Sequence, residues 1–466
     1  MKSFYTDPVV RRRLVEFLGG DSLERATSVY VTSTDGLQYD PRMLRLPSEL
    51  DWYLDRDLDI ARSLADSDSL LLHLDIEYVN FDWPTKAYLD ADRAFALQTP
   101  VIHAVEALLL GWGIRPLHMI TGQGHHFVWK VPSDSGVARA IEALDPAPEL
   151  GGRCMERVPP LLSGRITPRM QCAFSGLGLL MEFLAHRVKE EASGVCEIPV
   201  ELTAVHVGAG RTRQREIVSI DISEYGDPLH TRMVRMPFTN YLKPKMAKLT
   251  GQMGLEGDTP ALRMVPLHEM DTRGALRVRL MENEVRELAS RACVRIPEQA
   301  RGTAPFLEDY LASRLRRFHE YYYSTRHDEP ERWPETYDRT PLDVLPACVR
   351  NIIENPNDLL LKPAGMQLVA RTLLSQGWHP RHIAGLIRSK FENPAFGWGV
   401  NWNDYEPGTR ADFYVRIFTG LYETGMDRLV DFNCASTREK GFCCHPASPG
   451  SCIDPFCEIL LERQCR

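Results

Sequence analysis

The stretch LLLHLDIE at residues 70–77 combines a strongly apolar run with two carboxylates at its end. Such a short apolar run, followed by polar and turn residues, predicts a buried β-strand. Because side chains alternate along a strand, Asp75 and Glu77 point to the same face of the sheet. Two carboxylates on one face repel each other unless a cation or a base lies between them, and Mg²⁺ or Mn²⁺ prefers such oxygen ligands. The pattern indicates a divalent-metal site. D-x-E alone is common, however, and a turn cap followed by a solvated glutamate is the simpler interpretation.

A glycine-containing turn, TGQGHH at residues 121–126, lies between two further strand candidates, IRPLHMI and HHFVWKV. Glycines allow backbone N–H groups to approach an anion closely, and a nearby imidazole can contact phosphate oxygens. Because of the alternation along a strand, only one of His125 and His126 lies on the inner face. A phosphate-binding turn is one interpretation, and a purely structural histidine is the other.

A third carboxylate, Asp221, lies near the end of another apolar strand candidate, REIVSIDI. Basic residues follow it. Residues 211–250 hold eight Lys and Arg against four Asp and Glu, a local excess in a chain of formal charge −8. A carboxylate followed by Arg and Lys suits a metal–triphosphate site, because the acid can hold the cation while the bases hold the phosphates. Taken singly, each basic residue is explained equally well as a surface charge.

Cysteine is concentrated near the C-terminus. Six of the eleven cysteines lie within the 32 residues from Cys434 to Cys465, and Cys348 lies 86 residues before the first of them. Clustered thiols in a reducing compartment point to a metal or an iron–sulfur cluster more than to disulfides. The alternative is that Cys348 is a buried core residue and the tail alone binds Zn²⁺.

The composition is that of a globular protein: 466 residues, 44% hydrophobic and 25% charged. No stretch reaches 18 consecutive apolar residues, and the N-terminal segment lacks the apolar region of a signal peptide. We therefore expect a cytoplasmic protein without membrane contact. The net charge excludes a histone-like polycation but allows a local basic groove for nucleic acid. The length predicts two or three domains, which we place at residues 1–250 (α+β), 251–340 (a helical connector) and 341–466 (a small cysteine-bearing helical domain).

Taken together and in this order, the acidic pair, the glycine turn and the third acid resemble the archaeo-eukaryotic primase superfamily, which includes the primase-polymerases. That family carries a strand-end D-x-D or D-x-E, then an S-G-x-G-x-H-like turn, then a hydrophobic-Asp strand. The resemblance covers roughly residues 25–250 and departs from the family pattern at Thr121, where serine is usual. It implies that the catalytic ligands of Mg²⁺ or Mn²⁺ are Asp75, Glu77 and Asp221. It also implies that the nucleoside triphosphate is bound by Thr121, Gly122, Gly124, His126, Arg232, Arg235 and Lys243.

The C-terminal segment independently resembles the iron–sulfur domain of the primase large subunit. LPACVR at residues 345–350 is similar to the P-x-C-x-R opening of that domain, and the gap between the first two cysteines has the expected size. The final cysteines are more crowded than the resemblance requires. It implies a [4Fe–4S] cluster, with Zn²⁺ as the alternative. The expected ligands are Cys348, Cys434, Cys443 and Cys452, with Cys444 or Cys457 as substitutes.

The fold class that these observations predict is α+β: an archaeo-eukaryotic primase catalytic domain followed by a helical, cysteine-ligated domain. The implied function is a DNA-dependent primase-polymerase that makes primers de novo on single-stranded DNA by two-metal nucleotidyl transfer. Its partners would be the single-stranded template, NTPs or dNTPs, and a helicase or other replication proteins. Three other functions stay open. They are a gap-filling or translesion polymerase that only extends primers, a non-catalytic metal-stapled nucleic-acid-binding protein, and a divalent-metal nuclease.

Overall fold

The computed structural model of the protein describes residues 4–34, 43–245, 249, 251, 262–356, 358–396, 406–444 and 452–465. Helices and strands are mixed along the first part of the chain, and helices dominate the last part. The predicted α+β class is therefore confirmed. Across these ranges, no helix is long and apolar enough to span a membrane.

Among the described residues, the strands form two sheets and a two-stranded ribbon. The predicted strands LLLHLDI, IRPLHMI, HHFVWKV and REIVSIDI correspond to the third, fourth, fifth and seventh of them. The strands are β1 (Val31–Thr34), β2 (Asp59–Ser63), β3 (Ser69–Asn80), β4 (Leu117–Ile120), β5 (Gly124–Pro132), β6 (Val200–Leu202), β7 (Glu216–Asp221), β8 (Met233–Arg235), β9 (Asn240–Tyr241), β10 (Leu262–Arg263) and β11 (Val265–Pro266).

The helices flank the larger sheet and form the C-terminal part of the protein. They are α1 (Pro8–Phe17), α2 (Leu50–Leu54), α3 (Lys86–Leu89), α4 (Ala91–Ala96), α5 (Thr99–Gly111), α6 (Gly136–Glu142), α7 (Pro148–Glu156), α8 (Pro168–Ala192), α9 (Thr272–Val278), α10 (Glu282–Arg291), α11 (Ala300–Ala312), α12 (Arg314–Tyr322), α13 (Ala347–Glu354), α14 (Asp358–Leu361), α15 (Pro363–Ser375), α16 (Pro380–Glu392), α17 (Pro407–Glu423), α18 (Cys434–Glu439) and α19 (Asp454–Gln464).

The larger sheet has six strands in the order β11-β4-β5-β3-β7-β6. β3 lies near its middle, antiparallel to β5 on one side and to β7 on the other, whereas β6 runs parallel to β7. Leu72, Leu74 and Ile76 on β3 are fully buried, which explains why this segment is so apolar. The smaller sheet, β1-β2-β8, carries Arg235 at the end of β8.

The long helix α8 connects the sheet to the C-terminal helices. Its Glu182 is fully buried, and its carboxylate oxygens lie 2.8 Å from Arg416 Nε on α17 and 3.2 Å from His319 Nε2 on α12. Burial opposes the charge of this group, but Arg416 and His319 outweigh it and lower the pKa of Glu182 to about 2. A buried carboxylate needs such partners, because an unpaired charge in the interior costs several kcal/mol, on the order of 3–5. The C-terminal helices are thus fastened to the body that carries the sheet.

The predicted boundaries between domains are not marked by a break in the packing. One cluster of buried apolar side chains includes residues from all three predicted parts. The predicted connector, 251–340, also contributes β11 to the edge of the six-stranded sheet. The boundary at residue 250 lies outside the described residues, and the three-domain division stays a prediction.

Candidate active site

Three strands place the predicted acids and one histidine in a single row. In the pairing register, Asp75 on β3 lies opposite Asp221 on β7 and opposite His126 on β5. Residues directly opposite each other in a sheet project to the same face, with Cβ atoms about 5 Å apart. Glu77, two residues beyond Asp75, shares this face, whereas His125 lies opposite Ile76 and points to the other. The order of the strands therefore brings the three predicted acids and His126 to one face of the sheet.

Within the described residues, two buried polar atoms of this row lack a hydrogen-bond partner. His126 Nε2 lies 3.3 Å from Asp75 Oδ2. Asp75 Oδ1 and His126 Nδ1 are buried and have no hydrogen-bond partner within the described ranges. His73 packs edge-on against His126, with ring centroids 4.6 Å apart, and its Nδ1 lies 2.9 Å from both carboxylate oxygens of Glu224. Such buried, unpartnered atoms are costly unless something binds there.

Burial perturbs the ionisation of the row. It raises the pKa of Asp75 to about 7, with His73 opposing the rise and Asp221 adding to it. Burial and the neighbouring charge of Asp75 raise the pKa of Glu77 to about 7 as well. Burial lowers the pKa of His126 well below its usual value, with the positive charges of His73 and Arg235 adding to the effect. The protein alone does not supply enough positive charge to keep both carboxyl groups ionised at neutral pH.

These residues fit a divalent cation in their chemistry. Asp75, Glu77 and Asp221 offer oxygen ligands, and the unpartnered Asp75 Oδ1 lies among them. Within the parts of the chain that the structure describes, however, no three His, Cys, Asp or Glu side chains already converge as the ligands of one ion.

The glycine turn is built tightly against two neighbouring elements. Thr121 N donates to Gly124 O at 2.8 Å, and Gly124 N donates to the Thr121 hydroxyl at 3.0 Å. A Cβ on Gly122 would lie 2.0 Å from the Tyr241 ring, and one on Gly124 would lie 1.8 Å from the carbonyl oxygen of Ile76. Only glycine fits at position 124, because a Cβ there would collide with a backbone carbonyl, whereas a Cβ at position 122 would displace the Tyr241 ring. The Thr121 hydroxyl stabilises the turn.

The predicted basic residues divide into two groups. Arg235 Nε lies 3.2 Å from both carboxylate oxygens of the buried Asp59, and the positive charge of Arg235 opposes the raised pKa of Asp75, so Arg235 lies beside the acids. Lys243 likewise opposes the raised pKa of Glu77. Arg232 forms an ion pair with Asp227, which also binds Arg410 Nη2 of α17 at 2.9 Å. The structure therefore places Arg232 at the junction with the C-terminal helices, and its predicted contact with triphosphate stays a prediction.

Several residues of this region were missed in the sequence. Gln123, which lies between the two glycines of the turn, donates from its side-chain amide to Glu77 Oε2 at 2.9 Å. Arg279, which is buried just after α9, donates to the carbonyl oxygens of Thr121 at 2.5 Å and Gly122 at 3.2 Å. Gln123 could have been found from its place in the motif. Arg279 has no local signal, since it lies 158 and 157 residues after the two turn residues whose carbonyl oxygens it contacts.

The C-terminal cysteines form a second cluster. Cys348 is buried on α13, and Cys434 Sγ at the start of α18 lies 3.5 Å from Cys452 Sγ. Burial, with the charges of Cys452 and Cys434 adding to it, raises the pKa of Cys348 to about 12, and Cys443 similarly contributes to the raised pKa of Cys452. Of the four predicted ligands, Cys434 and Cys452 are therefore in contact with each other, and their charges act on Cys348. As at the acids, no three of the described side chains are already arranged around one metal position.

Two other cysteines are the predicted substitute ligands. Cys444 Sγ is 3.7 Å from the carbonyl oxygen of Ala347, the residue before Cys348, while Cys457 is half-buried on α19. Both therefore stay candidates as substitute ligands. Residues 445–451, between Cys444 and Cys452, lie outside the described residues.

Comparisons of the chain with family models, with curated proteins and with solved structures gave no match. The class of site is defined by the residues themselves. It consists of three carboxylates and a neutral histidine on one sheet face, a glycine turn at the end of the neighbouring strand, and two basic side chains beside them.

Proposed function

We propose that the protein is a primase-polymerase, which synthesises primers on single-stranded DNA from nucleoside triphosphates. The observation that carries this proposal is the row Asp221–Asp75–His126 across three adjacent strands, with the glycine turn leading into the strand of the histidine. The order of these motifs in the chain resembles the archaeo-eukaryotic primase superfamily. The sheet register supports the same grouping independently of that resemblance.

Asp75, Glu77 and Asp221 would hold Mg²⁺ or Mn²⁺ in this proposal. When bound, the ions would lower the pKa of the attacking 3′-hydroxyl and neutralise charge on the phosphates. The raised pKa values of Asp75 and Glu77 support this role, because a cation relieves the same repulsion and desolvation that hold protons on them.

Arg235 and Lys243 would bind the triphosphate, since both carry positive charge to the edge of the acidic face. Asp59 fixes the guanidinium of Arg235, and the ring of Tyr241 lies 4.8 Å from it, so its position is set before any ligand arrives. Preorganised charges of this kind stabilise a developing negative charge without reorganisation. His126, neutral at physiological pH, would assist from the same face.

The C-terminal helices would hold the template and the initiating nucleotide, as the resemblance to the primase large subunit implies. Cys348, Cys434, Cys443 and Cys452 would bind a [4Fe–4S] cluster, or Zn²⁺ as the alternative. Thiolate-only ligation suits either. The buried Glu182–Arg416 pair supports this proposal, because it fixes these helices to the body that carries the acids.

The test is synthesis without a primer. Anaerobically purified protein is incubated with a single-stranded DNA template, labelled NTPs or dNTPs, and Mg²⁺ or Mn²⁺, and the products are separated by length. We expect labelled products in the absence of any primer. Products only from a supplied primer would instead identify an extending polymerase of the gap-filling or translesion kind. No incorporation under either condition, from protein that is folded, would contradict nucleotidyl transfer.

The His126→Ala variant is expected to raise the apparent KM for nucleotide about tenfold while binding template normally. A hydrogen bond to a charged group is worth about 1.5–3 kcal/mol, and 1.4 kcal/mol corresponds to tenfold. His125→Ala is the matched control, because His125 points to the opposite face and contacts His118, 2.9 Å away. Steady-state kinetics and template binding by fluorescence anisotropy measure the two effects. If His125 proves the essential residue, the assignment of the turn is off by one position.

A further inference from the structure

Gln123 lies between an acidic and a basic residue of the candidate site. Its side-chain N–H donates to Glu77 Oε2 at 2.9 Å, and its side-chain oxygen accepts from Lys243 Nζ at 3.1 Å and from the Tyr88 hydroxyl at 3.0 Å. An ammonium group can only donate and a carboxylate can only accept. The orientation of the amide is therefore fixed by chemistry, with its oxygen towards Lys243.

The backbone of Gln123 is held as firmly as its side chain. Its carbonyl oxygen accepts from Tyr78 N at 3.1 Å and from Gln98 Nε2 at 3.2 Å, and the residue is 6% exposed. Gly122 and Gly124 on either side are confined by the close contacts described above. The amide is consequently placed by rigid elements, as a positioning group requires.

We infer that Gln123 is a positioning residue that keeps Lys243 and Glu77 apart, so that the carboxylate stays available to a cation and the ammonium to a phosphate. This inference rests on the proposed function. Opposite charges in a desolvated site attract strongly, and the amide of Gln123 forms a hydrogen bond with each of these two groups. A direct Lys243–Glu77 ion pair would occupy both at once.

The inference predicts that a second substitution restores the Mn²⁺ binding lost in the first. Gln123→Ala should let Lys243 pair with Glu77 and weaken binding of both Mn²⁺ and triphosphate, each about tenfold. Lys243→Ala should weaken triphosphate binding but leave Mn²⁺ binding near that of the wild type. In the Gln123→Ala/Lys243→Ala double variant, Mn²⁺ binding should recover, because no ammonium remains to capture Glu77.

The experiment measures binding rather than turnover. Electron paramagnetic resonance gives the affinity of the full-length protein for Mn²⁺ alone, and the fluorescence of a labelled ATP gives its affinity for triphosphate. Thermal melting of each variant confirms that it is folded. Gln214→Ala is the matched control, since its amide contacts Asn80 outside the acidic row.

The outcomes separate the inference from the proposed function. Recovery of Mn²⁺ binding in the double variant supports the spacing role. A double variant that binds Mn²⁺ as weakly as Gln123→Ala would overturn it, because Gln123 would then act on Glu77 without Lys243. Normal binding by Gln123→Ala would overturn it as well. A wild-type protein that binds neither Mn²⁺ nor triphosphate would contradict the proposed function and the inference together.

Discussion

Replacing Asp221 by alanine is expected to lower nucleotide incorporation at least about 100-fold while the protein stays folded. Losses of this size follow when a single electrostatic contact to the reacting groups is removed. Asp221 lies opposite Asp75 at the end of β7, so its loss removes one third of the carboxylates that would compensate a cation. Its side chain is partly exposed, and the hydrogen bond that it accepts from Ser223 N, at 2.9 Å, is local. Incorporation of labelled nucleotide, measured beside the thermal melting curve, checks both halves of this prediction.

Two further variants make the result specific to the charge. Asp221→Asn keeps an acceptor for Ser223 N but carries no charge, so it should be about as inactive as the alanine variant. Asp92→Ala removes an exposed carboxylate from α4 and should be fully active. Synthesis near the wild-type rate by Asp221→Ala would contradict the assignment of the acidic row. The same changes made at Asp75 or Glu77 should also abolish incorporation.

The sequence was informative about this row because a strand has a simple period. Alternation alone predicts that Asp75 and Glu77 share one face of the sheet. It also predicts that only one of His125 and His126 can lie on that face. The register of β5 against β3 puts His126 on the acidic face. What alternation could not provide was the order of the strands, since β3 pairs with both β5 and β7, and β7 follows it by about 140 residues. Only the resemblance to a family linked Asp221 to the acidic pair before the fold was known.

Residues that act through other residues are harder to predict from the sequence than the acids and the histidine. Gln123 occupies one of the two positions that the S-G-x-G-x-H-like pattern leaves unspecified, so only its place between the two glycines indicates a role. Arg279 reaches the turn carbonyls from a helix far along the chain. Arg232 shows the opposite case. It lies three residues before Arg235 and shares its charge, yet the fold pairs it with Asp227. Charge and spacing do not distinguish such neighbours, because the partner comes from tertiary structure.

The Cys348→Ser variant is expected to lose most of its bound metal or iron–sulfur cluster and to melt at a lower temperature. Cys348 lies on α13, whereas the other predicted ligands follow 86 or more residues later, so a shared centre would close a long loop. Closing such a loop in the unfolded chain is entropically costly, and binding energy at the centre becomes folding energy. Primer initiation should fall more than extension of a supplied primer, because the C-terminal helices are proposed to hold the initiating nucleotide.

The Cys348→Ser variant removes a predicted ligand and also buries a hydroxyl group. The effects of these two changes on stability have to be separated. Cys348 is 3% exposed, and an unsatisfied polar group there would by itself cost about 1–3 kcal/mol. Cys348→Ala avoids that cost, so metal loss shared by both variants reports on ligation. Cys293→Ser, at an exposed cysteine elsewhere in the chain, is the matched control.

Iron, sulfide and zinc content, visible absorbance and primer-free synthesis are measured on each of these variants. Full metal content and unchanged initiation in both Cys348 variants would show that the tail cysteines form a site of their own. The proximity of Cys434 and Cys452 to Cys348 would then reflect packing alone.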